Sequence, residues 1–349
     1  MSVIESVIDI PAEYMGNIFG SFDANIKKIE KTLKVTIVLR GDALKIIGGE
    51  AAVNSAASVF ERLIELAKRG NIITEQTVDY TLSLSMEGKE DAITEIDKDV
   101  VARTATGKPI KPKTLGQKNY IDEIRKKMIV FGIGPAGTGK TYLAMAMAIQ
   151  AFKNNEVGRI ILTRPAIEAG EKLGFLPGDL QSKVDPYLRP LYDALYQIMG
   201  AESFAANMEK GLIEVAPLAY MRGRTLDNAF IILDEAQNTT PAQMKMFLTR
   251  IGFGSKVIVT GDSSQKDLPA GTVSGLDVAI KVLSKVDDIG FVKLTNQDVV
   301  RHPLVQKIVK AYEDYESRQN RRTKSLVKDK ESENKKENTT KRRGRQNDN

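Results

Sequence analysis

One short run constrains this chain more than any other: Gly134, Pro135, Ala136, Gly137, Thr138, Gly139, Lys140 and Thr141. It lies between an apolar stretch, Met128–Ile133, and an Ala/Met-rich stretch, Thr141–Phe152. The first reads as a buried strand and the second as a helix. A strand, then G-x-x-x-x-G-K-[ST], then a helix is the P-loop arrangement. Its glycines let successive backbone N–H groups turn inward at a helix N-terminus, where the macrodipole also favours anions. Lys140 would reach the β- and γ-phosphates of a nucleotide, and the Thr141 hydroxyl would hold Mg²⁺.

A second motif fits the same chemistry. Phe230–Leu233 is an apolar strand that ends in Asp234 and Glu235 and continues into Gln237 and Asn238. A carboxylate at a strand end, Asp234, can hold the Mg²⁺ water shell opposite Thr141. Glu235 is placed to polarise an attacking water as general base. A third strand, Val257–Thr260, ends in Gly261, Asp262 and, shortly after, Gln265. Gln265 is the expected contact to the γ-phosphate, linking it to bound polymer.

Composition narrows the chemistry further. The 349 residues contain no cysteine and a single histidine, His302, which excludes disulfides, thiolate metal sites and a His-rich centre. Catalysis must then use carboxylates, amides, Lys/Arg and nucleotide-bound Mg²⁺. No apolar run approaches membrane-spanning length, and the alternating, acid-bearing N-terminus is not a signal peptide. The expected location is the cytoplasm, with no membrane partner. The tail 317–349 holds 12 Lys/Arg and 5 Asp/Glu, so the net +6 of the whole chain resides there. Its near-absence of apolar residues predicts disorder; Lys341–Arg345 suits an electrostatic tether for RNA or DNA, and a solubilising extension is an equal reading.

Four segments are expected. Residues 1–75 read as a small α/β unit, with strands at Ser6–Ile10, Val35–Leu39 and Leu44–Gly48 and a helix over Ala51–Arg69. Phe19-Gly20-Ser21-Phe22-Asp23 followed by Ala24–Glu30 resembles the K-homology (KH) pattern, whose GxxG loop clamps nucleic-acid backbone. Asp23 stands in the second glycine position, where a carboxylate repels phosphate, so a protein-contact role is an equal reading. Residues 76–113 read as a linker with a short helix near Asp91–Val101 and an extended basic run, Thr106–Lys113. Residues 114–316 alternate strands (128–133, 159–163, 230–233, 257–260, 291–294) with helices, implying a parallel sheet covered on both faces. The motifs fall at its C-terminal strand ends, where ligands bind in such sheets. Residues 317–349 form the tail.

Further segments carry a family resemblance: Leu115–Tyr120 with Gln117, Leu162–Pro165, Leu173–Gly178, Met221–Leu226, Asp234–Asn238 and Val299–His302. Together they resemble the PhoH-like family of cytoplasmic ATPases, akin to the first motor domain of superfamily I helicases. The resemblance implies an α/β, RecA-like P-loop NTPase domain preceded by the KH-like unit, with ATP and Mg²⁺ as cofactors. It also implies that Gln117 bonds the adenine edge and that Thr163 and Arg164 face nucleic acid. With one motor domain, the arginine that completes such a site would come from a neighbour in a homo-oligomeric ring, such as a hexamer. Arg301 is the first candidate and Arg224 and Arg250 are alternatives.

The reading is a Mg²⁺-dependent ATPase coupling hydrolysis to RNA or single-stranded nucleic acid, by remodelling or unwinding. Its rival is a nucleotide-gated adaptor that recruits an RNA-processing partner with little turnover. A small-molecule P-loop kinase fits less well, because an Asp-Glu pair aimed at water would waste ATP.

Overall fold

Alternating exposed and inward-facing residues put Val3–Asp9 (β1) on the edge of a sheet, ahead of Ala12–Phe19 (α1) and Ala24–Leu33 (α2). Thr36–Arg40 (β2), Ala43–Gly49 (β3) and the long helix Glu50–Lys68 (α3) follow. The sheet is antiparallel with order β1-β3-β2. Ile18, Ile29, Ile46, Val59, Phe60 and Leu63 are fully enclosed between it and the helices. These coordinates are a computed structural model. They describe residues 3–301 except 42, 89–91, 166–179 and 270, with 304–305, 308–309, 311–312 and 315 beyond. The chain divides into two units, Met1–Val300 and Arg301–Asn349.

The segment expected as a linker is folded. Thr74 caps Glu75–Met86 (α4) through a reciprocal capping box with Thr77. Val78, Leu82 and Leu84 of α4, and Ile93 of Ala92–Lys98 (α5), join the core of the N-terminal α/β layer. Ser and Thr interleaved among the apolar positions of α4 weaken its amphipathic contrast, which is why the periodicity did not stand out. The proline-punctuated basic run supplies Pro109–Ile110 (β5), paired antiparallel with Ala102–Arg103 (β4).

Leu115–Lys126 (α6) leads into the large sheet. Its strands are Ile129–Ile133 (β6), Arg159–Arg164 (β7), Ile213–Pro217 (β8), Ala229–Leu233 (β9), Lys256–Gly261 (β10) and Ile289–Lys293 (β11). All pair in parallel, in the order β11-β6-β10-β9-β7-β8. The helices between are Lys140–Lys153 (α7), Leu180–Met199 (α8), Ala201–Glu209 (α9), Pro241–Leu248 (α10) and Gly275–Leu283 (α11). Alternate residues of β9 serve opposite faces: Phe230 and Ile232 pack toward α6 and α7, Ile231 and Leu233 toward α10 and α11. β8 was not expected. It is an edge strand whose Glu214 interrupts the apolar run, so it lacks the continuous hydrophobic signature of the central strands.

Candidate nucleotide site

The phosphate loop leaves β6 at its C-terminal end and turns into α7. Gly137 (φ 87°) and Gly139 (φ 78°) adopt the left-handed backbone that glycine tolerates best. At Gly134 a Cβ would lie 2.5 Å from the Leu294 carbonyl oxygen, so the loop can pass β11 only as glycine. The Lys140 ammonium is buried in the loop mouth, donating to the carbonyls of Gly134 (2.6 Å) and Pro135 (2.8 Å).

Sheet order brings the other motifs to this loop. β10 lies beside β6, β9 beside β10 and β7 beside β9, so their C-terminal ends converge. The Thr141 hydroxyl donates to Asp234 Oδ1 at 2.7 Å, and Thr260 at the end of β10 donates to the same oxygen at 2.7 Å. Arg164 at the end of β7 contacts Asp234 Oδ2 and Glu235 Oε1. Glu235 sits in the left-handed region (φ 53°), which sends its side chain out of the strand line, and it is 44% exposed. Its Oε2 accepts from Gln237 Nε2 at 2.6 Å, while Gln237 Oε1 accepts from the Asp262 N–H at 3.0 Å. A cavity of ≈ 260 Å³ is lined by Ala136, Gly139, Lys140, Asp234, Glu235 and Gln265, among others. Gln265 is therefore beside the loop. A larger cavity of ≈ 700 Å³ lies at the opposite strand ends, near Phe230 and Lys256, and no phosphate-loop residue lines it.

Gln117 is buried, and both ends of its amide are engaged. Nε2 donates to the Thr138 carbonyl (3.0 Å) and Oε1 accepts from the Lys113 N–H (2.7 Å), so it braces the phosphate loop. Thr163, expected to face nucleic acid, is instead fully buried, and its hydroxyl has no partner. Strand alternation turns it inward while Arg164 turns toward the carboxylates. Arg224 makes a bidentate ion pair with Glu214 at 2.6 and 2.7 Å, an intrachain role. Arg250 is held near Thr249. Arg301 opens the second unit. The Leu173–Gly178 motif, His302 and the tail 317–349 lie outside the described residues.

The donor set fits magnesium. Asp234 and Thr141 offer hard oxygens, and a second buried carboxylate oxygen, Asp262 Oδ2, has no partner. No cage of three or more His, Cys, Asp or Glu exists among the described residues. Mg²⁺ keeps most of its waters and takes one or two protein oxygens plus phosphate oxygens, a demand that the Thr141 hydroxyl and the Asp234 carboxylate can meet.

Residues 109–313 match the family described as "PhoH-like protein". A PhoH-like protein of Mycobacterium tuberculosis is 54% identical over 314 residues, covering 90% of this chain and 89% of the relative. The chain belongs to the PhoH-like family. A PhoH-like protein of Bacillus subtilis is 52% identical over 297 residues, covering 85% of this chain and 93% of the relative. Protein PhoH of Escherichia coli is 47% identical over 206 residues, 58% of each chain. Among solved structures, the Pif1 helicase of Candida albicans matches at 14% identity over 52% of this chain and 40% of that one. The TM-score is 0.27. Membership in the PhoH-like family, together with the phosphate loop, makes this a nucleotide-binding protein of the ATPase type. No helix among the described residues is long and apolar enough to cross a membrane.

Sequence reasoning missed Thr260 and Gln237 as members of the site, and the pairing of Arg164 with the acidic pair. All three lie inside quoted motifs. Their partners are set by which strand neighbours which, and one sequence does not state that order.

Proposed function

We propose that this PhoH-like protein is a Mg²⁺-dependent, cytoplasmic ATPase whose hydrolysis is coupled to binding and remodelling of RNA or another single-stranded nucleic acid. The observation that carries the reading is the contact between Thr141 and Asp234 at the mouth of the phosphate loop, with Glu235 beside it. In this reading the loop N–H groups and Lys140 bind the β- and γ-phosphates, trading the loop carbonyls for phosphate oxygens. Thr141 and Asp234 would hold Mg²⁺, which when bound neutralises charge developing on the phosphate oxygens. Glu235 orients the attacking water and takes its proton. Gln265, following Asp262 beyond β10, contacts the γ-phosphate. Gln117 sets the loop's shape and is the candidate for reading the adenine edge through its remaining amide hydrogen. Arg301 of a neighbouring copy completes the site in a homo-oligomer.

The N-terminal α/β unit is a proposed KH-like partner surface. Gly20, Phe22 and Asp23 form the positive-φ turn between α1 and α2, and Phe22 is 93% exposed, available for stacking on a base.

Steady-state ATP hydrolysis tests the assignment. Glu235→Gln is expected to keep nucleotide binding and lose at least about 10²-fold in turnover, the usual contribution of a general base. Lys140→Ala is expected to lose binding. Unchanged turnover in the first or unchanged binding in the second would refute the roles. Stimulation of the wild-type rate by single-stranded RNA supports the coupling; a rate indifferent to every polymer removes it. A second reading, the nucleotide-gated adaptor that recruits an RNA-processing protein, is favoured by the engagement of both Glu235 oxygens. Negligible turnover with bound ATP under all conditions would select it.

A further inference from the structure

Arg164 connects parts that the proposed chemistry needs apart. It is the last residue of β7, and the Asp234 N–H donates to the Thr163 carbonyl at 2.9 Å, which registers the ends of β7 and β9. From there the Arg164 guanidinium meets Asp234 Oδ2 through Nε (3.0 Å) and Nη2 (2.9 Å), and Nη2 also lies 3.2 Å from Glu235 Oε1. One planar fork thus bridges both carboxylates, an arrangement suited to guanidinium and not to an ammonium.

Two consequences follow from this bridge. The guanidinium holds Glu235 Oε1 in a charge-assisted contact that any other partner of that oxygen must share. Gln237 donates to the other Glu235 oxygen, so the carboxylate is held from both sides and its orientation is fixed by Arg164 and Gln237 together. A fixed cation on Asp234 Oδ2 also opposes a divalent cation at Oδ1 of the same group.

We propose that Arg164 is a latch on this acidic pair, and that a backbone phosphate of a bound single-stranded nucleic acid releases it by drawing the guanidinium away from Glu235. The proposal deepens the ATPase reading and rests on it. Arg164 is then a positioning residue: it acts through Glu235 and Asp234. Its place at a strand end, beside the partly exposed Glu235, puts it where a polymer crossing the sheet's C-terminal edge would pass. Phosphate is the stronger claimant, since it offers the fork a bidentate partner without a competing bond to Gln237.

The test uses the full chain, with single-stranded polyuridine as probe and two readouts. In Arg164→Ala, turnover without RNA should rise about tenfold toward the RNA-stimulated wild-type rate, and RNA should add nothing further. The Mg²⁺ concentration that half-saturates binding of a fluorescent ATP analogue should fall by a similar factor. If Arg164→Ala does not fold, Arg164→Lys keeps the charge without the bridge and should move both readouts in the same direction. A basal rate at or below wild type with stimulation intact overturns the latch, as does loss of both activities, which would make Arg164 part of the hydrolytic machinery. Stimulation of wild type by free tripolyphosphate as strong as by polyuridine overturns the polymer as the releasing ligand. If wild type hydrolyses nothing, the ATPase reading fails by itself. The Mg²⁺ readout then still decides the latch, and an unchanged half-saturation in Arg164→Ala overturns it.

Discussion

Tyr120 carries the most exposed contradiction between polarity and environment at the single-residue scale. It is fully buried, its hydroxyl has no partner, and burial together with the nearby Asp234 charge pushes its phenol well above the ordinary range. The ring lies against Gly132 of β6, where a Cβ would come within 2.6 Å of it. An unsatisfied buried hydroxyl costs more than it returns, so Tyr120→Phe should stabilise the fold by about 1 kcal/mol. Chemical denaturation of the two chains checks this, and a loss of stability on removing the hydroxyl would reveal a partner it does have. The same scale separates Gln117 from the role given to it by resemblance. Its burial and its two hydrogen bonds make it first a brace for the phosphate loop.

Helices and strands are tied to one another by ion pairs as well as by apolar faces. Asp97 of α5 joins Lys111 (2.9 Å) and Arg69 (3.3 Å), binding the end of α3 to the segment after β5. Burial raises its affinity for protons, but Lys111, Arg69 and Asn71 together carry it below its ordinary value of 3.8. Asp99 is likewise held low by Arg125 and Lys118 of α6, against an opposing burial effect. A carboxyl whose folded value is depressed stabilises the fold fully above its unfolded value and loses that contribution as pH falls through the folded one. Stability of the wild type should therefore drop on acidification below about 3.8 more steeply than that of Asp97→Asn, which begins less stable at neutral pH. Parallel denaturation curves from pH 6 to pH 3 would remove Asp97 from this role. Two other elements were the least legible in the chain. α4 hides its apolar stripe among Ser and Thr, and β8 is an edge strand broken by Glu214.

Across the whole molecule, the segment after β11 links the N-terminal unit to the phosphate loop. Gln76 of α4 donates to the Val299 carbonyl at 2.6 Å, and the Val300 N–H donates to the Gly137 carbonyl at 2.9 Å. Asp298 accepts from Thr114 at 2.6 Å, just ahead of α6. A surface change in the N-terminal layer thus has a short bonded route to the loop that would hold the nucleotide. Arg301 follows Val300 directly in the chain. If a neighbour's Arg301 completes the site, specific ATPase activity should rise with protein concentration as copies associate, and Arg301→Ala should flatten the rise. An arginine supplied in this way is worth roughly 10³–10⁵ in rate. Constant specific activity, down to dilutions at which sedimentation finds only monomer, would remove the trans arginine.

The ligand class, the parallel α/β core and the acidic pair could be read from the chain because each is a local pattern. Glycine spacing, a strand flanking a loop, and carboxylates closing an apolar run all follow from neighbours in sequence. The tertiary structure decided the long-range pairings. Sheet order set Arg164 against Asp234 and Glu235 and brought Thr260 to the same carboxylate, while strand alternation buried Thr163. These partners lie 26 to 71 positions apart in the chain, and nothing in one sequence says which distant strand becomes the neighbour. Backbone hydrogen bonding of the sheet makes that choice, and it turned a row of separate motifs into one site.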